Sequence, residues 1–319
     1  MSRTPAACAA LAADLIAAAV GEASRPAAER IDDHVARCEG CRAEYRRYRE
    51  VDAVVGELHA APAPGSGRAR ARLLAELADL RARIVRYAVV DSPLGPILLA
   101  ATEAGVSLVE YLGRARVRGS ALFRQTTLEP HEGGAALEPF QRDLAEWFAG
   151  RRTRLDWPLD LRLARSDFHR AVLAATAAVP FGAVSSYAGI ARDIGRPAAV
   201  RAVAQALRHN PVPIVVPCHR VIGSGGALVG YAGHRIGLKE RLLDLEGVRT
   251  ERRRGGVQVD RRAMYAWDRS DREYCLPTCG DISTRPIGRV TLFASARQAE
   301  ALGLRPCGDC RPDLHPLEA

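Results

Sequence analysis

The sequence predicts a multidomain α+β chain: a helical metal-binding end, a core of strands and helices, and a second small metal-binding end. Three observations carry this. Residues 84–112 alternate in polarity as strands do, between helix-favouring segments. Residues 184–209 read as two helices joined by a tight turn. The eight cysteines fall into three groups, with Cys8, Cys38 and Cys41 early, Cys218 alone, and Cys275, Cys279, Cys307 and Cys310 late.

At 319 residues the chain has room for two or three domains. No run of eighteen apolar residues occurs, which argues against a membrane partner. The N-terminus lacks a basic start followed by an apolar run and a cleavage site, so a cytoplasmic location is expected. In that compartment, cysteines at such spacings point to metal ligation or catalysis before disulfides. The formal net charge of +9 is uneven: residues 1–80 carry −1, residues 81–250 carry +8 and residues 251–319 carry +2. A basic middle suits a nucleic-acid surface, although a solvated basic face would look the same. Lys239 is the sole lysine among 46 cationic side chains, which reads as composition bias.

In chain order, residues 5–20 and 27–60 are Ala-rich and helix-favouring, and 61–67 (APAPGSG) is a breaker-rich linker before a charged helix over 68–83. IVRYAVV, ILLAAT and VSLVEYL read as strands separated by DSPLGP and AG turns. Helices are expected over 137–150 and 167–179. In the pair over 184–209 the turn falls at Gly195, and Pro197 lies in the first turn of the second helix. IVV at 214–216 reads as a short buried strand, GLKERLLDLEG as a last helix ending at Gly247, and 249–262 as a second linker.

The segment NPVPIVVPCHRVI, Asn210 to Ile222, holds the chemistry of the core. Pro217 would fix the backbone of Cys218, while His219 and Arg220 place a base and a positive charge beside it. Such surroundings favour the thiolate, the nucleophilic form of cysteine. A lone cysteine is more commonly an inert buried residue, and local chemistry leaves both readings open.

PCHRVI, preceded by RAVAQALRHNPVPIVV and followed by GSGGALVGYAG, resembles the signature of the O6-alkylguanine-DNA alkyltransferases. The resemblance extends over FGAVSSYAGIARDIGRPAAVRAV and KERLLDLEG and, more weakly, to the strands from about residue 84, about half the chain. It implies a ribonuclease-H-like α/β lobe followed by a helix-turn-helix, winged-helix-like lobe, and single-turnover transfer of an alkyl group from DNA to cysteine. By position Cys218 would be the acceptor, with His219 as a base acting through water, Glu246 orienting it and Asn210 bracing the turn. Tyr187, Arg201, Arg220, Val221, Tyr231 and Ala232 would contact DNA or the flipped base, with Arg201 filling the vacated stack. The chain departs from the family pattern at Leu173, which replaces a tryptophan, and in YAGHRIGLKE, which has His234 for glycine and one extra residue before the lysine.

Cys275-x3-Cys279 and Cys307-x2-Cys310 have the spacing of a closed four-thiolate zinc site. FASARQAEALGLRPCGDCRPD resembles the metal-binding domain of the Ada methyl-response protein, which implies that Cys275 is a second acceptor, taking methyl from phosphotriesters. Leu276 in CLPTC stands where that family has arginine. At the other end, His34-x3-Cys38-x2-Cys41 would share one helix face, and Cys8 would complete four zinc ligands. DDHVARCEGCRAEYRRY resembles anti-sigma-factor zinc fingers, which implies a sigma factor as partner, docked on helix 42–59.

The expected domains are therefore a zinc finger (1–60), linker and helix (61–83), first alkyltransferase lobe (84–165), catalytic and DNA-binding lobe (166–248), linker (249–262) and zinc domain (263–319). Zinc is the cofactor expected, with no organic one. The partner is double-stranded DNA carrying alkylated guanine, and the chain is expected to act as a monomer. The alternative is a transcription regulator that senses alkylation or oxidation and holds a sigma factor.

Overall fold

The computed structural model describes residues 6–60, 66–113, 117–124, 128–231 and 235–317. These form two compact units, Met1–Ala78 and Asp79–Ala319. Among the described residues no helix is long and apolar enough to cross a membrane.

The first unit contains α1 (Ala6–Ala10), α2 (Ala12–Ala19), α3 (Arg25–Arg37) and α4 (Glu39–Ala60), and α5 (Ser66–Arg83) begins in it. Its buried centre is small: Leu15, Ile31 and Cys41, with Tyr45 and Tyr48 packed against them. A core of that size buries little apolar surface, so the unit depends on another source of stability. Helix is not continuous over 27–60. The backbone is extended at Cys38 (φ −116°, ψ 109°), and the chain restarts as α4. The expected common face of His34, Cys38 and Cys41 on one helix is thus replaced by a bend with His34 on α3 and Cys41 on α4.

The second unit opens with β1 (Ile84–Val90), β2 (Ile97–Thr102), β3 (Gly105–Tyr111) and β4 (Glu129–Glu132), in the sheet order β3-β2-β1-β4. The hairpin partners are antiparallel and β4 runs parallel to β1. At Gly105 (φ +134°) a Cβ would lie 2.1 Å from the Pro158 carbonyl oxygen, so no side chain fits where this sheet meets the following loop. α6 (Glu138–Phe148) and α7 (Asp167–Ala177) pack Leu144, Trp147, Val172 and Leu173 into the shared core. Leu173 is thus a fully packed core residue, 1 % exposed.

The helix pair starts later than its periodicity indicates. Residues 183–186 are β5 (Ala183–Ser186), buried throughout, and α8 (Tyr187–Asp193) begins where the Ser186 hydroxyl accepts the Gly189 amide. Burial and pairing on both edges override helix propensity here. Pro197 lies in the turn ahead of α9 (Val200–Arg208) rather than inside its first turn. Residues 214–216 are not a strand either. Prolines at 211, 213 and 217 deny ladder hydrogen bonds, and the segment turns tightly with Ile214 at φ +75°. Cys218 then opens a single 3-10 turn before β6 (Val221–Ile222), and α10 (Ile236–Leu245) follows.

Residues 249–262, read as a linker, form the hairpin β7 (Thr250–Arg253) and β8 (Gly256–Val259) and a short 3-10 turn, with Val259 buried. The remainder comprises β9 (Tyr265–Asp268), β10 (Glu273–Tyr274), α11 (Gly280–Ser283), β11 (Val290–Phe293), α12 (Ala296–Glu300) and β12 (Arg305–Pro306). It does not stand apart as a separate small domain. β11 adds antiparallel to β5, giving one sheet in the order β6-β5-β11-β9.

Candidate active site

Cys218 is buried, 8 % exposed, on the wall of a cavity of about 780 Å³ that Asn210, Tyr111, Tyr231, Arg165 and Arg235 also line. The turn before it is held by Asn210, whose Nδ2 donates to the Val216 carbonyl (2.8 Å) and whose Oδ1 accepts the Val212 amide (3.0 Å). This double brace sustains the left-handed Ile214, a costly conformation for a β-branched residue. Burial pushes the Cys218 thiol up, opposed by a hydrogen bond from Asn210 and the charge of Lys239. At rest the residue is therefore a protonated thiol that needs a base.

His219 is the titratable side chain next to it in the chain. Its Nε2 sits 2.7 Å from Glu246 Oε1, both side chains are fully buried, and its Nδ1 has no hydrogen-bond partner. Burial lowers the proton affinity of the ring, while Glu246 works to raise it. Burial would also raise the Glu246 pKa, but His219 and Arg220 outweigh it and hold the carboxyl at about 2. Arg220 donates to both carboxylate oxygens (2.8 Å from Nε to Oε2 and 2.8 Å from Nη2 to Oε1) and to the Val179 carbonyl (2.6 Å). The Gly182 amide completes the carboxylate shell at 3.1 Å. Glu246 is thus a fully ionised, rigid anchor, and buried charge is tolerated because every oxygen is paired.

The sequence underrated Lys239. It is completely buried, donates to the carbonyls of Val221 (2.5 Å) and Val229 (3.1 Å), and is held down to about 8, chiefly by burial. Its rarity was the available signal, since a lone lysine in an arginine-rich chain occupies a position that a guanidinium does not fit. Tyr111, also missed, shares a 2.9 Å hydrogen bond with Tyr231 between the two lobes. The Tyr187 hydroxyl donates to the Val229 carbonyl at 3.1 Å, which ties α8 to the segment just before Tyr231.

The sequence-family description "6-O-methylguanine DNA methyltransferase, ribonuclease-like domain" matches residues 85–161, and that of the DNA binding domain of the same family matches 167–248. The methylated-DNA–protein-cysteine methyltransferase of Mycolicibacterium paratuberculosis is 40% identical over 168 residues, covering 51% of this chain and 93% of the relative. This chain belongs to the methylated-DNA–protein-cysteine methyltransferase family. The constitutive enzyme of Bacillus subtilis is 36% identical over 162 residues, covering 51% and 95%. A crystal structure of the Mycobacterium tuberculosis O6-methylguanine methyltransferase is 40% identical, with 51% and 92% covered and a TM-score of 0.44. "Metal binding domain of Ada" matches residues 257–313.

Within this methyltransferase the structure gathers Cys218, His219, Glu246, Asn210, Tyr187 and Tyr231 around one cavity wall and its backing. Arg220 and Val221, expected at the DNA, are both buried here, Arg220 paired with Glu246 and Val221 at 0 % exposure. Arg201 stands exposed at the start of α9, away from the cavity lining. Ala232 and His234 lie outside the described residues.

Both cysteine clusters converge. The ligand atoms of Cys8, His34, Cys38 and Cys41 lie within 4.8 Å of one another, as do those of Cys275, Cys279, Cys307 and Cys310. Tetrahedral zinc with thiolate ligands needs sulfur–sulfur spacings of about 3.8 Å. Burial and the neighbouring thiols push Cys275 up, and burial with Cys38 and Cys8 pushes Cys41 up to about 12. Packed thiols resist joint ionisation without a cation, so both donor sets fit zinc, which would lock them as thiolates.

Proposed function

We propose that the protein repairs O6-alkylguanine in double-stranded DNA by moving the alkyl group irreversibly to Cys218. The observation that carries this reading is the buried Cys218, His219, Glu246 series, in which a thiol on a cavity wall adjoins an imidazole oriented by a fixed carboxylate. The unpartnered Nδ1 of His219 can take the Cys218 proton through a water, and Glu246 stabilises the imidazolium that forms. Lys239 and Asn210 support the thiolate. Its sulfur attacks the alkyl carbon in line, the S–C bond forms as the C–O6 bond breaks, and the electron pair stays on guanine. The proton released from Cys218 ends on the guanine. A thioether is a poor leaving group, so one molecule repairs one lesion.

The target atom lies inside the duplex and must be flipped out. Arg201, exposed on α9, would fill the stack, while Tyr187 and Tyr231 contact the displaced nucleotide. A DNA substrate favours a cytoplasmic location. Methyl-labelled O6-methylguanine duplex tests the reading. One labelled methyl on Cys218, mapped by mass spectrometry and absent from Cys218→Ala, is expected, and no transfer by folded protein refutes it.

For the Cys275 cluster the reading is a second transfer, of methyl from a DNA phosphotriester to Cys275. Cys307 accepts backbone amides of Asp309 and Cys310, and Cys310 accepts that of Leu276 at 3.3 Å, which withdraws charge from those sulfurs. Cys275 is instead pushed up, chiefly by burial and then by the neighbouring thiols. A methylphosphotriester duplex should methylate Cys275 in the Cys218→Ala variant. A protein partner for the first unit, with a sigma factor as the candidate, is favoured by exposed Val51, Val54 and Val55 along α4. Titrating the full chain with purified sigma factors tests it, and no binding removes the regulatory reading.

A further inference from the structure

The strand that follows Cys218 belongs to a sheet that runs on into the four-cysteine cluster. β6 pairs with β5, where Ser185 opposes Val221. β5 pairs with β11 through Val184 and Leu292 and through Ala183 and Phe293. β11 pairs with β9, where Leu292 opposes Ala266, and Ala266 exchanges both backbone hydrogen bonds with Cys275 (2.8 and 2.9 Å). Val184, Leu243 and Val248 of the methyltransferase share one hydrophobic core with Cys275, Cys279 and Cys307.

The contact is closest at Gly182, the residue that donates to Glu246. Just past β11, the Ala294 amide donates to the Gly182 carbonyl at 2.9 Å, and the Gly182 amide donates to Glu246 Oε2 at 3.1 Å. Gly182 is at φ +70°, and a Cβ there would fall 1.7 Å from Gln298 Nε2. Gln298 is itself fixed by the capping box of α12, its Oε1 accepting the Ser295 amide at 3.0 Å. Gly182 thus faces the carboxylate behind His219 through its N–H and the zinc-binding segment through its carbonyl.

We propose that the C-terminal zinc module is a positioning element of the alkyl-transfer site, with Ala294 and Gln298 holding Gly182 against Glu246. The inference rests on Cys218 being the acceptor. When bound, zinc would fix Cys275 and so the place of β9 and β11 in the sheet. When the cluster opens, β11 loses its anchor, Gly182 loses the Ala294 donor, and Glu246 holds His219 less firmly. Misplacement of a catalytic group by a fraction of an ångström is enough to slow a reaction severely.

The test follows methyl transfer to Cys218 in single turnover from pH 5 to 9, for full-length wild type, Cys307→Ser and Ala294→Pro, with duplex affinity and Gly182 amide exchange alongside. Ala294→Pro deletes one donor and keeps all four cysteines. Both variants are expected to bind duplex as wild type does and to transfer about tenfold more slowly. Their half-maximal rate should move to lower pH, because Glu246 raises the proton affinity of His219, and the Gly182 amide should exchange faster. If either variant fails to fold, Gln298→Ala, which keeps both strands and cysteines, must show the same direction of change. Zinc-depleted Cys307→Ser and Ala294→Pro with wild-type rate and pH profile would overturn the proposal, as would slower transfer with unchanged Gly182 exchange. Wild type that transfers nothing to Cys218 would refute the acceptor reading itself.

Discussion

Glu246 concentrates the electrostatics of the site, because one buried carboxylate satisfies an imidazole, a guanidinium and a backbone amide at once. Its folded pKa of about 2 lies below the model-peptide value of 4.5, so its contribution is present above about pH 4.5 and is lost as pH falls toward 2. The shift corresponds to a contribution of order 3 kcal/mol. Glu246→Gln should melt at lower temperature at pH 7, the gap to wild type should close below pH 4, and methyl transfer should slow at least tenfold. Acid-series thermal melts and single-turnover rates check both. Lys239→Met removes the charge facing Cys218 and takes the lysine donor from the Val221 carbonyl, while the Val229 carbonyl keeps the Tyr187 hydroxyl. A buried orphan costs about 1–3 kcal/mol, so denaturant unfolding should report a clear loss of stability together with slower transfer.

At the scale of elements, α9 separates two roles. Its inner face, with Val203, Ala206 and Leu207, packs the core, whereas Arg201 is exposed. Arg201→Ala should leave the melting temperature within 1–2 °C, a surface effect of about 0.5 kcal/mol or less. It should slow transfer from duplex about tenfold, yet leave reaction with a free O6-alkylguanine base unchanged. Equal loss on both substrates would argue against a role on DNA. What the sequence revealed here follows from period and spacing. The strands β1 to β3 and the helices α6, α7 and α10 carry their pattern locally, and the motif around Cys218 is contiguous. What it hid is non-local. β5 looks helical until both its partners are known, the 214–216 turn is set by prolines and Asn210 together, and the linker over 249–262 is a hairpin whose Val259 finds its core only in three dimensions. Tyr111 escaped notice because its partner Tyr231 lies far along the chain, and Lys239 because its single occurrence read as composition bias.

For the whole molecule, the two units divide the work. Residues 79–319 contain the cavity, the Cys218 series and the four-cysteine cluster, so a chain starting at Asp79 should transfer methyl at the full-length rate, measured in parallel single-turnover assays. The intact chain should bind two zinc ions, one per cluster, by metal analysis. Stripping the first unit's zinc with a chelator should melt its helices, since its buried core is so small. Circular dichroism before and after chelation reads this directly. The basic surplus sits in the second unit, so duplex binding should weaken steeply with salt.

The placement of β11 also bears on how the chain can be shortened. β5 is a four-residue strand with β6 on one side and β11 on the other. A truncation after Val248 would strip β11 away and turn β5 into an open edge, flanked by the uncovered apolar side chains of Val184, Leu243 and Val248. Open edges recruit strands from other molecules. The trimmed methyltransferase is therefore expected to self-associate through β5, so the C-terminal segment also shields that edge, as a built-in guard against aggregation.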